Sequence, residues 1–157
     1  MKLTKMLALA CPLVLTGLPA QAASVGGHAA LALAGVVAQY APIPAANKKA
    51  VASFFNGDTH FPYNGKITVT ADTIVCRTSN VDITMRSCDL DFKTAKRALK
   101  GREANELYAT QAMAGIAAGA AAGSNYESLT KLNCTLDPAK LRDKAGEGAA
   151  CSFEPGT

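Results

Sequence analysis

Four cysteines, two aspartates and two histidines hold most of the chemistry open to this 157-residue chain. Cys76 and Cys88 close the polar stretch CRTSNVDITMRSC, and Cys134 and Cys151 lie near the C-terminus. Zinc ligation by neighbouring cysteines wants roughly two to four intervening residues, which neither pair offers. A thioredoxin-like redox pair wants Cys-x-x-Cys at a helix start, and none occurs. Four cysteines in an exported chain are read as a disulfide framework with three open connectivities. Sequence proximity favours Cys76 with Cys88 and Cys134 with Cys151, each bridge contributing about 3 kcal/mol on the chain-entropy view.

The first pairing sets a geometric condition. A two-residue turn at Ser79-Asn80 would bring Cys88 opposite Ala71 and part the two sulfurs. Bridging therefore requires a wider turn centred nearer Asp82, or strands that are not sequential neighbours.

Asp89 and Asp91 in CDLDF share one strand face, about 6–7 Å apart. Such a pair could hold a hard cation or divide the roles of acid and base. The simpler reading is a solvated face opposite Cys88, Leu90 and Phe92, with no EF-hand spacing nearby. His28 and His60 fall at a helix start and in a loop, so no Ser-His-Asp or Cys-His arrangement is apparent. No catalytic residue, metal ligand or cofactor is expected.

Lys93, Lys96, Arg97, Lys100 and Arg102 place five cations within ten residues. They could dock an acidic protein, lipid head groups or another polyanion. The lack of interleaved aromatic residues argues against single-stranded nucleic acid. With Arg77, Asp82 and Arg86 of the cysteine-closed stretch they form the expected binding surface; the plainer alternative is a solvated turn between strand and helix.

The compartment follows from the first residues. Lys2 and Lys5 precede an apolar run from Met6 to Leu18, then Pro19 and Ala20-Gln21-Ala22, the layout of a secretory signal peptide cut after Ala22 or Ala23. The run is too short to span a bilayer, which takes about 20 residues. Cys11 follows Ala8-Leu9-Ala10, a poor lipid-attachment pattern, and the apolar run continues past it. Residues 1–23 are thus read as a leader and 24–157 as a single small domain. Losing Lys2 and Lys5 leaves 14 of the 16 basic residues against 12 acidic ones. A net charge of +2 is too balanced to imply nucleic acid.

The elements that must position these residues read as α+β. HAALALAGVVAQY, residues 28–40, is apolar almost all round and suits a buried helix. After Pro42 and Pro44, residues 45–55 form a second helix with Val51, Phe54 and Phe55 along an apolar edge. From Lys66 to about residue 100 β-branched alternation predicts two to four antiparallel strands. Ile67, Val69 and Ala71 share a face, but Ile74 and Cys76 have the opposite phase, which predicts a bulge or bend near Asp72 and Thr73. Val81, Ile83 and Met85 likewise precede Cys88, Leu90 and Phe92 in opposite phase within one expected strand. A helix follows over 102–114, with Glu103 and Glu106 suiting its N-terminus. GIAAGAAAGSN is too glycine-rich to continue it, and Gly115, Gly119 and Gly123 point to a flexible loop or close packing. Strands at 129–136 and 149–154 flank a short helix capped by Asp137, begun by Pro138 and closed by Gly146. The architecture is N-terminal helices, a small antiparallel sheet, a central helix and a β-α-β tail, stapled by disulfides.

The runs GKITVTADTIVCRTSNVDITMRSCDL, LKGREANELYAT, and NYESL through LNCTLDP to GEGAACSF resemble a group of small exported bacterial proteins. The likeness covers most of residues 30–155, and the four cysteines are its most specific part. It implies no activity. Where the group has a more polar, proline-containing turn this chain has GIAAGAAAGS, which argues against a long helix there.

These readings point to a non-catalytic binding or inhibitor-like protein, periplasmic or secreted, whose partner is a protein or envelope component. A membrane-associated envelope protein using the Ala/Gly segments and a carboxylate-dependent hydrolase built on Asp89 and Asp91 are the alternatives.

Overall fold

A computed structural model describes residues 22–58, 60–82, 84–119, 125–143 and 147–156. Residues 1–21 of the expected leader 1–23, Cys11 among them, therefore lie outside the described residues, as do Ile83, Gly123 and Gly146. The chain runs β1 (Ala23–Gly26), α1 (Gly27–Tyr40), α2 (Ala45–Phe55), β2 (Ile67–Thr78), β3 (Arg86–Asp91), β4 (Lys96–Lys100), α3 (Arg102–Ala117), β5 (Asn125–Leu136), α4 (Pro138–Asp143) and β6 (Ala149–Gly156). The class is α+β, as the patterning predicts.

All six strands join one antiparallel sheet in the order β1-β6-β5-β2-β3-β4. Alternation decides its two faces. Ile67, Val69, Ala71, Ile74, Cys76, Cys88, Leu90, Leu99, Leu132, Cys134 and Phe153 are buried on the inner side, against which α1 and α3 pack. Thr68, Thr70, Asn133, Thr135, Ala150 and Ser152 are exposed on the other. Helix α1 touches α2, α3 and the sheet together. That threefold contact accounts for its nearly uniform apolarity, which no amphipathic surface helix would show.

The phase inversion in β2 falls where the sequence places it, but its cause differs from a bulge in β2. Ala71 pairs with Leu132 and Ile74 with Leu129, so β2 and β5 keep one register through the inversion. Both strands turn two successive residues outward together, Asp72 and Thr73 on one and Thr130 and Lys131 on the other. The bulge lies between β5 and β6, where the register shifts between Thr130 and Asn133 and Lys131 takes φ 53°.

Three expectations are corrected. Residues 79–82, 84 and 85 lie outside β2 and β3, so Val81 and Met85 belong to a loop and not to a strand; their apolar character has no strand face to serve. Helix α3 continues through GIA to Ala117, because Gly115 is buried on its inner side, and Gly119 at φ 68° follows its end. Strand β1, unforeseen in the sequence, pairs Ala23 with Phe153 and Val25 with Cys151.

Both expected disulfides are present, Cys76–Cys88 and Cys134–Cys151. Each joins directly opposed residues of neighbouring strands, β2 with β3 and β5 with β6. Each also lies beneath a helix: Cys88 Sγ is 3.4 Å from the Ala104 carbonyl oxygen of α3, and Cys151 Sγ is 3.4 Å from that of Ala30 in α1. The β5-α4-β6 connection closes tightly at Gly148, whose carbonyl accepts the Asp137 N–H at 2.7 Å. A Cβ there would come within 2.6 Å of the Leu141 nitrogen, so only glycine fits.

Replacing Cys76 and Cys88 together by Ala should lower unfolding stability by about 3 kcal/mol. Urea denaturation of the oxidised double variant and wild type would show it, and equal midpoints would contradict a structural role for the bridge.

Candidate functional site: the β2–β3 hairpin tip and the basic edge strand

Pairing of Cys76 with Cys88 and of Thr78 with Arg86 centres the connecting loop on Asp82, which meets the condition for a bridge. Ser79 N–H donates to the Met85 carbonyl at 2.9 Å, which closes the loop. Ser79 Oγ accepts the Val81 and Asp82 N–H groups at 3.2 and 3.3 Å. Asp82 Oδ1 accepts from the Thr84 N–H at 2.9 Å and the Thr84 hydroxyl at 2.6 Å. Asn105 Nδ2 of α3 donates to the Thr84 carbonyl at 2.9 Å, tying the loop to the helix. Short polar side chains thus bind backbone at each step, the local chemistry that favours turns.

Near the apex of this ordered loop Val81 is 98% exposed, and at its base Met85 is 52% exposed. Single exposed apolar residues are commonplace, but these two belong to one loop held by at least six hydrogen bonds. Beside them an open hollow of about 400 Å³ is lined by Ser79, Met85, Arg86, Ser87, Lys100 and Gly101.

The expected surface residues divide between structural and available roles. Arg86 lies 3.5 Å from the centroid of the Tyr108 ring, donates to Thr78 Oγ1 at 2.9 Å and approaches Glu127 at 3.9 Å. Its cation–π contact holds α3 to the hairpin, while its hydrogen bond to Thr78 ties β3 to β2. Asp82 serves the loop itself. Arg77 pairs with Asp89 at 2.6 Å and Lys96 with Asp91 at 3.0 Å, all on the outer sheet face. Each aspartate thus has a cation of its own, and the two do not converge on a shared vacant point. Among the described residues no cluster of three or more metal-ligating side chains occurs. His28, in α1, and His60 are both exposed, and the His60 N–H donates to Asp58 at 3.0 Å.

Lys93, Arg97, Lys100 and Arg102 make no ion pair among the described residues. Lys93 stands at the β3–β4 turn with φ 73°, a conformation that costs a non-glycine residue about 1 kcal/mol. Lys96, Arg97 and Lys100 are exposed along β4, the last strand of the sheet. Gly101, at φ 61°, ends β4 and turns the chain into α3, leaving Arg102 exposed beside the hairpin base. The basic run is therefore a continuous cationic margin that leads to the apolar tip. The sequence marks the tip as a surface through Arg77, Asp82 and Arg86, but not its exposed apolar residues, since Val81 and Met85 read there as members of a strand.

The chain matches no protein-family model, no curated protein and no solved structure. Its function must be argued from this surface.

The hydrogen bonds from the Thr84 hydroxyl and then the Thr84 N–H hold the Asp82 carboxyl below the ordinary aspartate range. A depressed folded value means that the order it lends is present above the ordinary value and is lost as pH falls through the depressed one. In an NMR pH titration the Asp82 carboxyl should therefore titrate below a free aspartate, with the Thr84 amide moving at the same midpoint. An unshifted Asp82 midpoint would contradict the loop geometry.

Proposed function

We propose that this chain is an exported, non-catalytic binding protein that presents the hairpin tip as an anchor and the β4 margin as its charged flank. The observation that carries the reading is the near-complete exposure of Val81 on a loop that is disulfide-locked and internally hydrogen-bonded. Holding an apolar side chain in water gains nothing for the fold, whereas a preordered apolar anchor lowers the entropy cost of association. The adjoining hollow offers space for a partner's side chain, and apolar anchors seated with pocket complementarity dominate binding energies. An inhibitor-like role, in which the tip occupies a partner's cleft, is the form of binding that a stiff protruding loop suits best.

Export is supported by the leader pattern, by two disulfides that need an oxidising compartment, and by the resemblance to small exported bacterial proteins. No helix among the described residues is long and apolar enough to cross a membrane. A protein or another component of the cell envelope is the partner this placement implies. The ion pairs that occupy Asp89 and Asp91 argue against the hydrolase alternative.

Strand β1 begins at Ala23, so cleavage after Ala22 keeps all four of its pairs with β6. N-terminal sequencing of the exported protein should start at Ala23, and its cysteines should resist alkylation until reduced. Recovery with free thiols would count against export through an oxidising compartment.

Immobilised mature chain should retain an envelope extract saturably, and Val81→Asp with Met85→Asp should reduce retention by about tenfold or more while leaving the unfolding midpoint nearly unchanged. Equal retention by wild type and the double variant would defeat the anchor reading.

A further inference from the structure

Backbone bonding shows which groups of β4 are available. Gly101 N–H donates to the Arg86 carbonyl at 3.0 Å at one end of the β3–β4 ladder, and Phe92 N–H donates to the Ala95 carbonyl at 2.9 Å at the other. Bonded pairs in an antiparallel ladder recur at every second residue. Cys88–Leu99 and Leu90–Arg97 are therefore the bonded pairs between these ends, and Lys96, Ala98 and Lys100 direct their N–H and C=O groups away from the sheet. These three residues are exposed, and among the described residues no further strand lies beyond them. Arg97 donates a side-chain bond to the Lys96 carbonyl at 3.0 Å, so Ala98 and Lys100 are the least encumbered groups.

From this edge we infer that β4 is a docking site for an extended, acidic polypeptide segment that joins the sheet as a seventh strand. The inference rests on the binding-protein reading and names its partner class. Backbone groups at an edge supply affinity to an added strand, and side chains at alternate positions supply selectivity. Lys96, Ala98 and Lys100 lie on one face, so a partner segment would set acids four residues apart against the two lysines, with a small residue between them. Arg97, of opposite parity, would meet an acid on the other face. Lys93 and Arg102 extend the cationic margin past both ends.

The same charges disfavour a second copy of this chain as the occupant. Pairing β4 with β4 would set lysine against lysine, and cations along an edge are a common guard against such self-pairing. An acidic strand converts that guard into attraction. The positive φ of Lys93 agrees with this view, because glycine would relieve the turn but remove a cation.

The test uses the mature, oxidised protein and two fluorescent peptides of equal charge, one alternating glutamate with threonine and the other glutamate with proline. Proline cannot donate to a ladder, so the second peptide reports charge alone. Fluorescence polarisation should show saturable binding of the Glu/Thr peptide, with the Glu/Pro peptide weaker by about tenfold or more. Ala98→Pro removes one outward N–H without touching a β3–β4 bond, and proline is tolerated on edge strands. It should weaken the Glu/Thr peptide to the level of the Glu/Pro one, and Lys96→Glu with Lys100→Glu should weaken both. Equal binding of the two peptides, or an Ala98→Pro variant that folds and binds as wild type does, would reduce the edge to a polyanion patch and overturn strand addition. Absence of binding by either peptide would also overturn it. Retention of an envelope extract that still depended on Val81 and Met85 would then leave the binding-protein reading standing.

Discussion

The register between β2 and β3 is the constraint on which the presentation of this molecule's surface depends. Side chains alternate with a period of two, so a slip of one residue would exchange every inward position of a strand with its outward neighbour. Cys76–Cys88 forbids that slip by linking directly opposed residues. Their pairing fixes the sum of every other pair in the hairpin, from Thr73 with Asp91 to Thr78 with Arg86. What remains between Thr78 and Arg86 is a loop centred on Asp82, and the hydroxyl and carboxylate groups of Ser79, Asp82 and Thr84 give it order. The second disulfide acts likewise on β5 and β6, whose register shifts only beyond the bridged pair, on the Thr130 side. Both bridges lie on the buried face under α3 and α1, so they also contribute apolar volume where a chain with few large aromatic residues needs it.

Among the described residues the opposite face of the sheet is exposed, and its composition shows why that is tolerable. Gly26, Ala150, Thr135 and Thr68 form one cross-strand row, and Ser24, Ser152, Asn133 and Thr70 the next. Small and hydroxylated side chains remain hydrated without offering an apolar patch. Further along, Arg77–Asp89 and Lys96–Asp91 neutralise one another. Exposed ion pairs of this kind stabilise a fold by no more than about 1 kcal/mol. Each pair also ties a β3 aspartate to a cation on a neighbouring strand, Arg77 of β2 or Lys96 of β4.

Much of this architecture was legible because the relevant signals are local. Uniform apolarity marked α1, two prolines marked the break before α2, and Asp137-Pro138 marked the start of α4. The cysteines permitted one long-range deduction, that the hairpin turns near Asp82 or else the two cysteines lie on non-sequential neighbours, because a disulfide tolerates little error in distance. What was not legible depends on tertiary context. The four residues of β1 are too few and too small to show a period, and only pairing with β6 makes them a strand. Val81 and Met85 carry the apolar, β-favouring signature of strand residues, and nothing in the local sequence tells a buried apolar side chain from an exposed one. The coordinated inversion of β2 and β5 is a joint property of two strands more than fifty residues apart, so either strand alone suggests a bulge of its own.

Misreading Val81 and Met85 as strand residues is itself informative. Local preference and global placement usually agree in a natural sequence, and positions where they disagree concentrate at functional sites. Disagreement recurs nearby: Lys93 occupies a backbone conformation better suited to glycine, and an exposed strand edge carries lysines at both ends of its free backbone groups. None of these choices stabilises the isolated domain. All three lie on the margin formed by the β2–β3 loop, the β3–β4 turn and β4, while the rest of the sheet obeys its alternation. A solvated face with no role would not need an apolar apex, and a buried interface within the chain would not need the cations. The proposed interface with a second molecule would account for both, with the apex supplying apolar area and the cations steering and register.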